Sequence, residues 1–479
     1  MSAPPTRGGI FRKKPVEAFV SETGTNVEGG GELERSIGLF QLTMFGVGAT
    51  IGTGIFIVLT EAVPEAGPGV ILSFVLAGIT AAFTAVCYAE LASTIPVSGS
   101  SYSYTYATMG EVVAFGVAAC LLLEYGVSSA AVSVGWEQYL SELFNDLLGF
   151  RLPELITAAP GEGGIVNLPA IVLVTLCCLL LIRGARESAL ANTLMVIVKL
   201  SVLALFVVIA FTAFDGNNLA PFAPFGAVGI GVAASSIFFS FIGLDAVSTA
   251  GEEVTNPRRN LPLAIIFATA IVTLFYVLVA LAAVGAQRYQ LFEGQEAGLA
   301  VILRNLTGST WPAIILSAGA VISIFSVTLV TIYGQTRILF AMGRDGMLPS
   351  VFYRVNPTTL APVRNTIIVA VFVGFLAGFV PLGILIDLTS MGTLVAFTVV
   401  SAGVIILRRT QPDLPRGFRV PLYPVTPILS IIFCLYIIWG LPWSTFGLFA
   451  VWLGVAALIY FTYSMRHSRL AQTGTGRVR

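Results

Sequence analysis

Phe45-Gly46-Val47-Gly48-Ala49-Thr50-Ile51-Gly52-Thr53-Gly54-Ile55-Phe56 lies in the first long apolar run of the chain. Each of its four glycines weakens a helix by about 1 kcal/mol relative to alanine. Backbone N–H and C=O groups that leave the helical ladder here would be forbidden in lipid but are tolerated where they line a protein cavity. The same glycines also suit close helix packing through small residues. The stretch alone leaves an unwound segment and a packing seam equally open.

Working outward, composition sets the surroundings of this run. The 479-residue chain is 56% hydrophobic and 10% charged, with mean hydropathy +0.91, whereas soluble domains run near 25% charged. A spanning helix needs about 20 apolar residues. Such runs fall at 39–60, 69–92, 112–140, 167–183, 188–214, 227–250, 261–284, 311–341, 363–381, 384–407, 425–441 and 443–463. These predict a polytopic all-α membrane protein of twelve transmembrane helices. Residues 1–36 are polar, contain no apolar core of a cleaved signal, and read as a loose tail; 464–479 read as a second short tail. Cys87, Cys120, Cys177, Cys178 and Cys434 all lie inside apolar runs, where cysteine acts as a small hydrophobe rather than a zinc or disulfide framework.

Basic residues accumulate on the cytoplasmic side of membrane proteins. With both termini inside, every Lys and Arg falls there except Arg151, Arg288 and Arg304 outside and Lys199 within the membrane. This predicts a plasma-membrane protein, the bacterial inner membrane, with cytoplasmic N- and C-termini. The longest loops, 141–166 and 285–310, cannot house a catalytic domain, so no enzyme is expected.

The sixth run shifts the reading of the first. Ser235-Ser236-Ile237-Phe238-Phe239-Ser240-Phe241-Ile242-Gly243-Leu244-Asp245-Ala246 mixes small polar residues, a glycine and an acid. Runs one and six open two sets of five, where an inverted repeat places its paired discontinuous helices. The expected organisation is a five-plus-five inverted repeat, 37–214 and 226–408, followed by helices 11 and 12 at 425–463. A half-helix N-terminus offers free N–H groups to a carboxylate, while freed carbonyls accept an ammonium. Together they form a receptacle for an amino acid. Lys199 lies in the apolar stretch 195–214 with no acid between Glu187 and Asp215. An ionised lysine at mid-membrane costs about 2.5 to 3.5 kcal/mol, so it should face a cavity or the bundle interior.

At these residues the chain resembles a bacterial member of the cationic amino acid transporter family, within the amino acid, polyamine and organocation transporter superfamily. The matching pieces are 48–56, Phe239 to Asp245, the run Gly251-Glu252-Glu253-Val254-Thr255-Asn256-Pro257, and Arg337 to Gly346. The resemblance implies that Thr50, Gly52, Thr53 and Gly54 hold the substrate carboxylate, that Phe239 is an aromatic gate, and that Ile242 marks the unwinding of the sixth helix. An ordinary apolar face remains the other reading of Phe239. Asp245 is a helix cap or gate partner ahead of a direct ligand. Lys199 resembles the fifth-helix lysine of proton-coupled relatives, standing where sodium-coupled members of the fold place their ion. Glu124, the acid inside the neighbouring third run, is the expected partner of Lys199, directly or through water; a static structural lysine and a kink-capping Glu124 are the alternatives. Glu252, Glu253, Arg258, Arg259, Arg337, Arg344 and Asp345 are candidates for ion pairs closing the cytoplasmic path, or for ordinary solvated loop ends.

The small apolar surroundings of Thr50, Phe239 and Ile242, with Lys199 repelling a cationic side chain, predict a proton-coupled symporter of neutral L-amino acids. Alanine-sized substrates are favoured over a fairly broad range. A cationic amino acid carrier or an exchanger is the alternative, and a non-transporting sensor a more distant one. The expected partners are a small-molecule L-amino acid and the lipid bilayer, with no nucleic acid; a small membrane-protein partner is not identified. The proton is the coupling ion, and no cofactor or metal is expected.

Overall fold

A computed structural model describes residues 11–15, 37–95, 100–183, 189–249, 254–356 and 361–473. Apart from isolated bridges, the secondary structure is helical. Besides short turns, the order is α1 Leu39–Thr50, α2 Gly54–Ala66, α3 Val70–Thr94, α4 Ser100–Thr108, α5 Glu111–Leu122, α6 Ser128–Leu148, α7 Leu168–Ile182, α8 Ala189–Thr212 and α9 Gly226–Ile237. It continues with α10 Ala246–Thr249, α11 Pro257–Ala286, α12 Gly298–Thr307, α13 Trp311–Arg344, α14 Val363–Phe379, α15 Leu382–Thr410, α16 Val425–Trp439 and α17 Trp443–Ile459.

Each expected run coincides with helix to within a few residues at most ends. Eight helical stretches among the described residues are long and apolar enough to cross a membrane, and α1, α7, α14 and α16 are shorter apolar helices. The chain is thus an all-α, multi-pass membrane protein. Val371 and Phe375 of α14 and Val451 and Leu458 of α17 stay exposed, as the lipid-facing side of such a bundle requires. The first and sixth runs are each interrupted: α1 stops at Thr50 and α2 restarts at Gly54, while α9 passes through a 3₁₀ turn, Phe238–Phe241, before α10. The third run carries a five-residue π turn, Leu123–Val127, between α5 and α6.

Packing pairs the two halves. Helix α2 lies against α9, α3 against α11, α6 against α13 and α7 against α14. In each pair the partners are five runs apart, the pattern an internal repeat produces. Small residues permit the close approaches: an ideal Cβ on Gly319 of α13 would run into Val202 of α8, and one on Gly46 of α1 would lie 2.5 Å from Val247.

The two tails are not loose where they are described. Lys14 is buried and paired with Asp345 at 3.3 Å, and Ser468 donates to Glu111 at 2.7 Å. A second buried charge cluster fastens the connection after α15. Glu90 of α3, fully buried, accepts from Arg408 Nε at 2.8 Å and Nη2 at 2.5 Å and from the Val420 N–H at 2.7 Å, with Arg416 at 3.3 Å. Several donors on one carboxylate compensate a desolvation that an isolated ion could not withstand.

Candidate functional site

The two interruptions meet. An ideal Cβ on Gly54, the first residue of α2, would lie 2.5 Å from Ser240 Cα, and one on Gly243 would lie 2.6 Å from the Ala49 carbonyl oxygen. Glycine at each break therefore lets the backbone of the other approach. Gly243 also has φ +91°, a conformation that favours glycine. Ile242 is extended, with φ −63° and ψ 144°, so the chain leaves the helical path there.

Thr50 closes α1 by donating to the Gly46 carbonyl at 2.9 Å. Thr53 caps α2 through its own carbonyl, which accepts from the Phe56 and Ile57 N–H groups at 2.9 and 3.1 Å. The first N–H groups of a helix starting at Gly54 have no acceptor within it. Thr50, Gly52, Thr53, Gly54, Phe239 and Ile242 are all buried and come from these two breaks. Val327 of α13 faces Gly52, 3.0 Å from where its Cβ would stand.

One residue that joins the breaks carries no local signal in the sequence. Tyr276 of α11 is fully buried, and its hydroxyl lies 2.9 Å from the Thr50 carbonyl oxygen and 2.8 Å from that of Ser240. The Phe241 ring packs against it edge-on at 5.2 Å. A single hydroxyl proton thus serves carbonyls freed on both sides.

Lys199 of α8 is buried, and its Nζ donates to the Gly48 carbonyl at 3.0 Å. Its ammonium reaches the first helix one turn before the break. The expected direct link to Glu124 is not made as a hydrogen bond. Both Glu124 oxygens are buried and lack a hydrogen-bond partner among the described residues, and the carboxyl lies within electrostatic reach of Asp245, with Thr393 nearby. Glu124 stands in the π turn, whose extra residue re-aims side chains within it. Asp245 accepts from Ser100 Oγ at 2.9 Å and from the Tyr125 hydroxyl at 3.1 and 3.3 Å. It thereby joins α4 and the π turn to the second half of the sixth run. Of the loop residues, Asp345 forms an ion pair, but with Lys14; Glu252 and Glu253, with the motif start at Gly251, lie outside the described residues.

At the end of the bundle bearing Thr60, a cavity of about 220 Å³ is lined by residues including Glu61, Glu137, Asn167, Glu296 and Leu382. Arg304 of α12 closes on Glu142 and Asp146 of α6 beside it. Burial and neighbouring carboxylates push the Glu296 carboxyl above its ordinary value despite the Arg151 charge, and burial does the same for Glu162. Among the described residues no group of three or more His, Cys, Asp or Glu is placed to hold a metal ion.

Comparison with known proteins gives the family. An amino acid permease family model matches residues 37–465. The chain is 43% identical to the branched-chain amino acid permease BcaP of Bacillus subtilis, over 97% of this chain and 100% of that protein. It is 42% identical to the methylthioribose transporter of the same organism, over 96% and 99%. A vacuolar cationic amino acid transporter of Arabidopsis thaliana matches at 35% over 84% of this chain and 68% of its own length. The narrower expectation of a cationic amino acid transporter thus widens, because the bacterial proteins matching at higher identity carry other substrates in their names. With two broken helices meeting in a bundle that the family model covers almost end to end, this chain belongs to the amino acid permeases of the amino acid, polyamine and organocation superfamily, which transport solutes and are not enzymes.

Proposed function

We propose that the protein is a proton-coupled symporter of neutral L-amino acids that works by alternating access. The supporting observation is the meeting of the two breaks with Lys199 held on the Gly48 carbonyl. In this reading the twelve helices form a five-plus-five inverted repeat, the termini are cytoplasmic, and the membrane is the bacterial inner membrane. The N–H groups at Thr53 and Gly54, with that of Gly52 released from the Thr50 carbonyl it meets at 2.8 Å, take the substrate carboxylate, and carbonyls freed near Phe239 take its ammonium. Phe239 and Ile242 border the side chain. An ammonium at position 199 occupies the place where a sodium ion would otherwise be needed.

Proton coupling then runs through groups that are costly to keep charged. Lys199 changes its hold on the first helix, and the neighbouring carboxyls Glu124 and Asp245 cannot both ionise cheaply in a buried site. The branched-chain relative supports a pocket that accepts more than alanine. A second reading, a sugar thioether as substrate, rests on the methylthioribose relative. That ligand lacks the carboxylate the α2 N-terminus suits, which ranks it behind an amino acid.

Proteoliposomes test this reading. A pH gradient, alkaline inside, is expected to drive accumulation of labelled alanine, and replacing external sodium with potassium is expected to leave the rate unchanged. Strict sodium dependence refutes the coupling. Failure of unlabelled alanine, leucine and valine to compete, with competition by methylthioribose, replaces the substrate class.

A further inference from the structure

Helix α4 reads Ser-Ser-Tyr-Ser-Tyr-Thr-Tyr-Ala-Thr and buries all nine of its residues. A helix this rich in hydroxyls belongs on a wet surface, so its complete burial requires a cover that supplies polar partners. Helices α5 and α15 pack against it, and two chain ends complete the cover. The Glu111 N–H just after α4 donates to the Arg12 carbonyl at 2.9 Å, and the Lys14 N–H donates to the Tyr106 carbonyl at 3.4 Å. Arg12 reaches the Met465 carbonyl at 3.4 Å. Phe11 backbone lies so close to Gly110 that a Cβ there would stand 2.7 Å from its carbonyl.

Asp345, just after α13, is the hub of this cover. One carboxylate oxygen takes Lys14 Nζ at 3.3 Å and the other the Tyr102 hydroxyl at 2.7 Å, while its backbone carbonyl accepts from the Arg469 N–H at 3.0 Å. Side-chain exposures of 3% for Lys14 and 12% for Asp345 separate this pair from ordinary surface salt bridges. The opposite flank of α4 faces the transport path: Ser100 donates to Asp245 at 2.9 Å and accepts from Ser248 at 3.2 Å.

We propose that residues 11–15 are a latch, seated on α4, that holds shut the end of the substrate path at Asp245, and that the Lys14–Asp345 pair must part before that end opens. The proposal rests on the alternating-access reading above, since only a path that opens needs a latch. Helix α4 cannot move away from Asp245 while Tyr102 and the tail are fixed to the same carboxylate on its other side. Removing either charge takes the 3.3 Å ion pair from a buried group, so the seated state loses its advantage and the open one gains population.

A cysteine at the fully buried Ser101 reports this opening in the full-length chain reconstituted in nanodiscs. Its labelling rate with a maleimide is read against the same chain without the reporter. Lys14→Ala and Asp345→Asn are each expected to label about tenfold faster than the Ser101→Cys parent, and Lys14→Arg within about twofold of it. The double variant Lys14→Ala/Asp345→Asn is expected to label no faster than the faster single one. Asp345→Asn retains an acceptor for Tyr102, so it isolates the charge. Parent-like labelling of both single variants, at an unchanged melting midpoint, overturns the latch, as does a double variant whose effects multiply. Variants whose melting midpoint collapses together with accelerated labelling at every buried cysteine would assign the pair to stability alone and overturn it too. Alanine exchange by the parent is measured in parallel: its absence removes the carrier reading, while the labelling ratios still judge the latch.

Discussion

The Tyr276 hydroxyl stands 2.9 Å from the Thr50 carbonyl, the last helical residue before the first break, and 2.8 Å from the Ser240 carbonyl in the other. Tyr276→Phe removes the proton of that hydroxyl, takes from the Ser240 carbonyl its hydroxyl donor and leaves the Thr50 carbonyl with the Gly52 N–H at 2.8 Å, a cost of about 1 to 3 kcal/mol. Alanine binding to the purified variant is expected to weaken by about tenfold or more. The melting midpoint is expected to fall modestly, because the ring keeps its contacts with Phe241 and Phe74. Binding measured by thermal shift against alanine concentration checks it; unchanged affinity removes Tyr276 from the site.

Lys199→Ala separates driving force from recognition. Proton-driven accumulation is expected to be abolished while substrate binding persists in weakened form, and Glu124→Gln is expected to alter the pH profile of uptake. Binding has to be measured beside transport on the same preparation, because an unpaired buried ion can destabilise the bundle. Accumulation at the parental level by well-folded Lys199→Ala defeats the proposed role.

Ile242 is extended at the second break and nearly buried. Shortening it to alanine is expected to admit larger neutral amino acids and to weaken alanine through lost contact. Competition against labelled alanine by a panel from glycine to phenylalanine reads the ranking. An unchanged order places Ile242 outside the side-chain pocket, and a parental preference for arginine over alanine overturns the neutral substrate class.

Glu296, in the loop before α12, has its carboxyl raised by burial first and by neighbouring acids. A carboxyl raised in the folded state binds its proton more tightly there than in the unfolded chain. Its contribution is therefore most favourable in acid and is lost as pH rises through the folded value. Glu296→Gln is expected to raise the melting midpoint near pH 8 and to lose that advantage near pH 4. Equal midpoint changes at both pH values refute the assignment.

The helices and both breaks were legible because hydropathy and glycine are local signals. Four glycines between 46 and 54 stand out within the apolar run 39–60, and Asp245 in the sixth run advertises an interior polar role. Tyr276 was not legible: a tyrosine in an apolar helix reads as core, and only the convergence of two distant carbonyls on one hydroxyl gives it a task. Glu124 is legible as a buried acid in the third run, but its place in a π turn near Asp245 is not, since a π turn leaves no trace in apolar periodicity and its neighbours are set by tertiary packing. In the sequence Lys14 belongs to a polar, loose-looking tail for a similar reason. Its burial depends on α4 and Asp345, which lie far along the chain.

Glu90 has a consequence for the birth of the protein. Its arginine partner at position 408 follows 318 residues later, so at about 5 to 20 residues per second the ribosome delivers that partner roughly 16 to 64 s after the glutamate. Throughout that interval α3 carries a carboxylate with none of its final donors. The early helices must therefore be held by the insertion machinery, or keep Glu90 protonated or near the bilayer surface, until α15 arrives. A nascent chain cut before residue 408 lacks every donor that Glu90 has in the folded protein, and α3 is settled only when α15 and the connection after it have arrived.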